Sequence, residues 1–380
     1  MFESIRKDKN ILFIDVGSAS IGIASIPEHL VADGDQRTVC LERAYLKIDE
    51  AKPKAVDLLP RLTQLLNTII EKNTKSIGAI KGVVVTFSAP WYQATAGTVH
   101  KDFEKEKKIE EGTLSDLLKE ARANLLPPDG DLVDDSVLAV SINNYPTEQP
   151  VGKKGGAITL SLLRGSLLPK VKDAFSEVIQ KYYGDTPQIF HVLALPYLHV
   201  MRSTFGTEEA VLVDVTGEMT DILIMRDGIL WKRVAIPMGS RTLIRSLITE
   251  KEREGVATNT LSLLLEGTLE SQGNKDLQRK IAQFQKEWVS SVAKELLEMA
   301  KEAPLPTRLF LLSENRTKEW FTQNFSRLDF APATITNEPF QVESVDKNNL
   351  APEEPFACSD PFLLLSSLYY RERVKYARAL

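Results

Sequence analysis

One supersecondary unit occurs twice in this chain, and it limits the fold more than any other feature. Residues 11–16 are a short, nearly continuous apolar run with Asp15 near its end; Gly17, Ser18, Ala19 and Ser20 follow, and a second apolar run spans 21–26. A third strand-like stretch, 38–48, completes the unit. Further along, residues 211–215 carry Asp214, Thr216-Gly217-Glu218 make a turn, and 221–225 run back. Asp227-Gly228 then predicts a tight hairpin into 229–236. Short apolar runs bounded by small turn residues predict buried strands. Two such units predict two related halves of an α/β protein.

The aspartates give the unit a chemistry. A carboxylate at the end of a buried strand is costly unless it meets a cation or hydrogen-bond donors. Asp15 and Asp214 each precede a turn of small residues, whose backbone N–H groups can approach an anion, and the hydroxyls of Ser18, Ser20 and Thr220 add donors. Two such hairpins facing one another would grip a polyphosphate, with the aspartates holding Mg²⁺ through water. The plainer alternative is two ordinary hairpins with solvated aspartates; recurrence in matched context favours the site.

Helical spacing marks 56–71 and 277–299, the latter with Leu277, Ile281, Phe284, Trp288, Val292, Leu296 and Met299 on one face, and Pro304 and Pro306 stop it before a strand at 308–312. Residues 92–186 have a different texture. A charged stretch, 101–111, leads to a helix capped by Thr113 with Asp116 three residues on. Strands at 136–143 and 157–163 follow, then a helix over 167–183 that closes at Gly184. This order predicts a small α+β module inserted into the first half, with Lys153-Lys154-Gly155-Gly156 as an exposed hairpin turn. The expected organisation is a first half from 1–91, 187–205 and 355–380, a module over 92–186, and a second half over 206–354.

With a net charge of −5 and lysines and arginines scattered, the chain presents no field for nucleic acid. Cys40 and Cys358, far apart and without a CxxC partner, are expected as free thiols. The start has no apolar signal core, and the apolar runs are too short to cross a bilayer, so a cytoplasmic protein is expected. His191 and His199 lack a third ligand and are expected as core or surface histidines.

The stretch FIDVGSASIGIA resembles the first phosphate motif of actin-like proteins, and VLVDVTGEMTDILI resembles the second. IPMGS and its apolar helix look like the segment after the second motif in FtsA. INNYPTEQPVGKKGG and SLLPKVKDAFSEVIQKYYG, placed after GVVVTFSAPW, resemble the extra subdomain of FtsA and PilM. The resemblance to the actin-like superfamily, in its FtsA/PilM branch, covers nearly the whole chain. It implies an α/β, actin-like (ribonuclease H-like) two-domain fold with an inserted α+β subdomain, and ATP with Mg²⁺ between the halves. Asp15 and Asp214 would be the magnesium-water ligands; Gly17 and Ser18 would meet inner phosphates, Gly217 and Thr220 the terminal one, with Ser20 a further phosphate-binding residue. Asp221 matches the aspartate of the FtsA-type ending, and Gly239, Ser240, Ser313 and Asn315 would lie near base and ribose.

Three departures accompany this match. Leu195 stands where hydrolysing relatives carry an acid, 311–315 reads LLSEN without the usual glycine pair, and NTLSLLLEGTLE at 258–269 is mostly apolar. The resemblance therefore implies at most a slow ATPase with no catalytic acid assigned, binding nucleotide rather than turning it over. It further implies a scaffold, peripheral at the cytoplasmic face of the inner membrane: FtsA-like in cell division, PilM-like in type IV pilus assembly, or a degenerate form without nucleotide. Its partners would be the cytoplasmic tail of a membrane protein, division or pilus proteins, and other copies in an oligomer or filament. Trp91 and Tyr92, where the insertion begins, are the candidate partner surface, with packing of the junction between subdomains as the favoured alternative. Residues 360–380 read as the last helix of the first half rather than as a membrane-surface helix.

Overall fold

Each Asp-bearing hairpin lies at the centre of a five-stranded sheet, and the two sheets share one strand order. The computed structural model describes residues 9–28, 39–47, 54–247, 275–314, 317–352 and 358–379. In the first sheet β1 (Asn10–Val16), β2 (Ser20–Pro27) and β3 (Val39–Tyr45) form an antiparallel meander; β4 (Ile80–Phe87) and β9 (Gln188–Val192) add to the other side of β1 in parallel. In the second, β10 (Ala210–Val215), β11 (Thr220–Arg226) and β12 (Ile229–Ile236) form the meander, and β13 (Arg308–Ser313) and β14 (Gln341–Ser344) the parallel addition. Asp227 and Gly228, with φ of 50° and 69°, make the expected tight turn between β11 and β12.

The central strands read as continuous apolar runs because both faces are covered. On β1, Leu12 and Ile14 join α1 (Ala55–Ile77) and α3 (Val171–Tyr183) in one core. Ile11 and Phe13, with period-two alternation, face the C-terminal side in a cluster with Cys358 and Leu363. The second sheet packs Val211 and Val213 against α5 (Ser240–Leu247), α6 (Lys275–Ala300) and α7 (Lys318–Phe325), around Trp288. Helix α4 (Ala194–Phe205) belongs to both halves. It is buried from Ala194 to Leu198 and again at Val200 and Met201, and the Tyr197 hydroxyl lies within hydrogen-bond distance of the carbonyls of Val213 (3.2 Å) and Phe310 (2.9 Å) in the second sheet. After α8 (Lys347–Leu350), the chain returns to the first half as α9 (Pro361–Ala379). No helix among the described residues is long and apolar enough to cross a membrane.

The third sheet, β5 (Tyr92–Lys108), β8 (Lys154–Leu167), β6 (Asp131–Ile142) and β7 (Tyr145–Pro146), is antiparallel and carries α2 (Glu111–Asn124) on one face through Leu117 and Ala121. Three local expectations are corrected. Residues 101–108, read as a charged stretch before a helix, are strand: their backbone pairs with β8 while the charged side chains stay in solvent. Helix α2 starts at Glu111, so Thr113 lies within its first turn and is not its cap. The helix over 171–183 packs its Phe175 and Ile179 into the core of the first half beside α1, rather than onto the module's sheet. Cys40 and Cys358 are not free thiols; they form a disulfide with Cα atoms 4.9 Å apart. Distance along the chain hid this, because the start of α9 folds back beside β3.

Candidate functional site at the seam between the halves

The two hairpin turns meet where the halves join. Gly17 N–H donates to the Ser20 carbonyl (2.9 Å), closing the first turn, and the Trp91 indole braces it with a 2.8 Å bond to the Gly17 carbonyl. Thr216 N–H donates to the Met219 carbonyl (3.0 Å) in the second turn. Asp15, Gly17, Ser18, Ser20, Asp214, Gly217 and Thr220 are thus brought together, all of them buried.

Nothing separates the two turns. Ser18 Oγ and Thr216 Oγ1 are 2.8 Å apart, and Glu218 N–H donates to Ser18 Oγ at 2.7 Å. A Cβ placed on Gly217 would sit 2.6 Å from that of Ala19, so the glycine is required by the close approach of the opposite hairpin. Donors beside the turns are engaged within the protein. Ser240 N–H and Arg241 N–H, at the start of α5, donate to the carbonyls of Thr216 (3.0 Å) and Gly217 (2.7 Å). Thr220 Oγ1 donates to the Met238 carbonyl (2.7 Å) and lies 3.1 Å from the Trp288 indole N–H.

Charge is settled within the protein as well. From β3, Arg43 Nη2 donates to Asp15 Oδ2 (2.7 Å) and Asp360 Oδ1 (2.9 Å), Nη1 to Ser20 Oγ (3.1 Å), and Nε to Asp360 Oδ2. Gly22 makes this possible, since a Cβ there would lie 2.7 Å from Arg43 Nη2. Asp360 also accepts from Phe362 N–H and Leu363 N–H, each 3.1 Å away, at the head of α9. Burial pushes the Asp15 carboxyl up to about 6, against the pull of Arg43. Glu314, just after β13, accepts from Ser20 Oγ (3.4 Å) across the seam and from Ser240 Oγ (3.3 Å) in its own half; burial raises its pKa, and Arg43 and Arg241 oppose this. Neither Asp214 oxygen has a hydrogen-bond partner at normal geometry. Burial, reinforced by Asp221 and Asp15, holds it well above the usual carboxylate range, although the Ser88 hydroxyl beside it pulls the other way.

The remaining expected residues fall into place around this seam. Asp221 accepts from the Tyr92 hydroxyl (2.7 Å) and Arg233 Nε (2.9 Å), which fixes it away from any phosphate. Gly239 and Ser240 pack on the second turn: a Cβ on Gly239 would be 2.2 Å from the Thr216 carbonyl oxygen. Ser313 is 1% exposed. Asn315 and the stretch 258–269 lie outside the described residues. Leu195 is buried in the shared core. His191 pairs with Asp134 (2.7 Å) and His199 with Glu372 (2.6 Å). Trp91 and Tyr92, 2% and 1% exposed, are not a partner surface; their polar atoms tie the base of the module to the first turn and to the second half. Arg43, Glu314 and Asp360 escaped the sequence reading. The available signal was Gly22, an unexplained glycine within an apolar strand.

The residues present do not fit Mg²⁺-ATP in this arrangement. The interval a polyphosphate needs is occupied by contact between the turns, and one oxygen of Asp15, Oδ2, is held by Arg43, while Oδ1 is buried without a hydrogen-bond partner among the described residues.

Neither a family model nor a curated protein sequence matches the chain. Among solved structures, it is similar to one described as the PilM-PilN type IV pilus biogenesis complex, with a TM-score of 0.57 and 12% identity over 96% of this chain and 98% of that one. It is also similar to the ethanolamine utilization protein EutJ from Carboxydothermus hydrogenoformans (TM-score 0.45, 13% identity, 94% and 89% covered). A further likeness is to a Bacteroides thetaiotaomicron protein described as having an actin-like ATPase fold and unknown function (0.43, 10%, 96% and 99%). Two sheets of one strand order, paired acidic hairpins at their seam and the full-length likeness to PilM together establish that the chain has the actin-like ATPase fold.

Proposed function

We propose that this chain is a PilM-like scaffold of a type IV pilus-type assembly platform, peripheral at the cytoplasmic face of the inner membrane, which holds the cytoplasmic tail of a membrane protein. The observation that carries the reading is the full-length likeness to PilM in a structure described as a complex with PilN. The module supplies a surface for such a role. Among the described residues the outer side of its β6 is paired by the two-residue β7 and met at the Leu138 carbonyl by the Arg202 guanidinium (2.7 Å), while Val137 (39% exposed) and Tyr145 (77%) stand in solvent. An extended peptide adds readily to such a strand edge. The division reading leaned on the Thr220-Asp221 ending, and both side chains are engaged by Met238, Trp288, Tyr92 and Arg233. With no acid at Leu195, the scaffold needs no rapid ATP hydrolysis.

The test is site-specific photo-crosslinking from Tyr145 and Val137 in the native cell, with the captured protein identified by mass spectrometry. The expected product is a membrane protein with a short cytoplasmic tail, made with a pilus-type apparatus. Crosslinks to division proteins alone, or none from either site in folded protein, would reject the assignment.

A further inference from the structure

We infer that Arg43 is a built-in cation that takes the place of a bound metal at the end of β1, so that the acidic cluster beside the seam is neutralised by the chain's own charge. This goes beyond the scaffold assignment and does not depend on which partner is held.

The placement of Arg43 is the first support. Its guanidinium lies against Asp15 and Asp360 in the first half and reaches Ser20, whose hydroxyl donates in turn to Glu314 of the second half. Positive charge is thus supplied, at hydrogen-bond distance, to the carboxylate that ends β1. The packing is the second support. Direct Ser18–Thr216 and Ser18–Glu218 bonds close the interval between the turns, and neither bond would survive a phosphate placed between them. The supports of Arg43 are fixed from behind as well. Gly22 leaves room for the guanidinium, Phe362 stacks under it at 5.0 Å, and the Cys40–Cys358 disulfide joins the two segments that carry Arg43 and Asp360. A pocket of about 270 Å³ borders the pair, lined by Arg43, Tyr45, Glu314, Asp360 and Phe362 among others, so space released by shortening Arg43 would open to solvent.

The same geometry states what happens without the guanidinium. Asp15 and Asp360 would then lose their shared cation, and Glu314 would keep only the Arg241 charge. Such a site is destabilised until it takes up a proton or a metal ion.

The full chain is assayed by thermal melting with millimolar Mg²⁺-ATP, Mg²⁺-ADP and Mn²⁺ alone, and Mn²⁺ binding is read by electron paramagnetic resonance. Wild type is expected to show no shift and no bound Mn²⁺. A saturable rise with Mg²⁺-ATP that Asp15→Asn abolishes would overturn the inference. Arg43→Met is expected to melt lower than wild type and to gain Mn²⁺ binding. An Arg43→Met protein that melts as wild type does, or that binds no Mn²⁺, would also overturn it. Should Arg43→Met not fold, Asp15→Asn/Arg43→Met, which removes the Asp15 charge together with the guanidinium, is expected to fold; failure to do so counts against the pairing. The wild-type titration stands whatever the variants do.

Discussion

Asp214 sits at 1% exposure with neither oxygen hydrogen-bonded, between Asp15 and Asp221, whose charges repel its own. The native state therefore prefers its neutral form, and the same preference holds more mildly for Asp15, Asp221 and Glu314, all raised by burial. A carboxyl raised in the folded state keeps a proton that the unfolded chain has released. Its contribution to stability is therefore present at low pH and fades as pH climbs, for Asp15 from 3.8 through about 6. The lowered carboxylates Glu42, Glu71 and Glu298 work in the opposite sense, but only below their ordinary 4.5. The urea midpoint is expected to be higher at about pH 5 than at about pH 7, and Asp214→Asn should shrink that difference. At about pH 7 the same variant should gain on the order of 1–3 kcal/mol, since a buried carboxyl that must take up a proton on folding is replaced by a neutral isostere. A midpoint that falls on acidification, unchanged in the variant, would refute this account. Asp15 and Asp214 were legible in the sequence because a carboxylate within an apolar run is conspicuous. Arg43 was not, because its meaning depends on Gly22 opposite it across a strand pair, and cross-strand register is not written in local pattern.

Among elements, the turn between β10 and β11 is the most tightly enclosed. The first turn presses on one side of it and the start of α5 on the other, with Gly239 packed so close that a Cβ would meet the Thr216 and Gly217 carbonyl oxygens at 2.2 and 2.7 Å. Backbone on both sides leaves nothing flexible to give way. Gly239→Ala is expected to destabilise by about 1–3 kcal/mol through overpacking, read as a lower urea midpoint with unchanged slope. Gly184→Ala provides a contrast, because a Cβ there meets no atom within 4 Å and only its positive φ of 59° opposes the change. Equal losses in both variants would show that packing at the seam is not the cause. Elements with clean apolar patterns, such as α6 with its buried Phe284, Trp288 and Val292, were predicted within a few residues. The charged end of β5 was not, since its stability comes from backbone pairing with β8 rather than from any buried face of its own.

Across the whole molecule, the repeated hairpin was enough to foretell two related halves, because one buried pattern used twice leaves few alternatives to two similar sheets. The closeness of the halves was not foretold. It follows from Ser18, Ala19, Thr216 and Gly217 fitting each other, a matter of tertiary shape. Nor was the Cys40–Cys358 bond, which joins residues 318 apart in sequence. Closing so long a loop restrains the unfolded chain, so reduction or Cys358→Ser should cost roughly 2–5 kcal/mol, seen as a lower melting temperature than that of the oxidised protein. An unchanged melting temperature after complete reduction would show that the loop was already restrained without it.

That same bond decides how the molecule would carry tension. A pull applied through the two ends of the chain passes along β1 and β2 to Cys40, crosses the sulfurs to Cys358, and leaves through α9. The module and the second half hang from this route as a closed loop and bear none of the pull. On that route lie β1, paired along its length with β2 and β4, and α9 packed over it, where Asp360 and Asp15 share the guanidinium of Arg43. A protein anchored by its ends in a machine that exerts force would thus carry the load through its first half, while the β6 edge kept its shape.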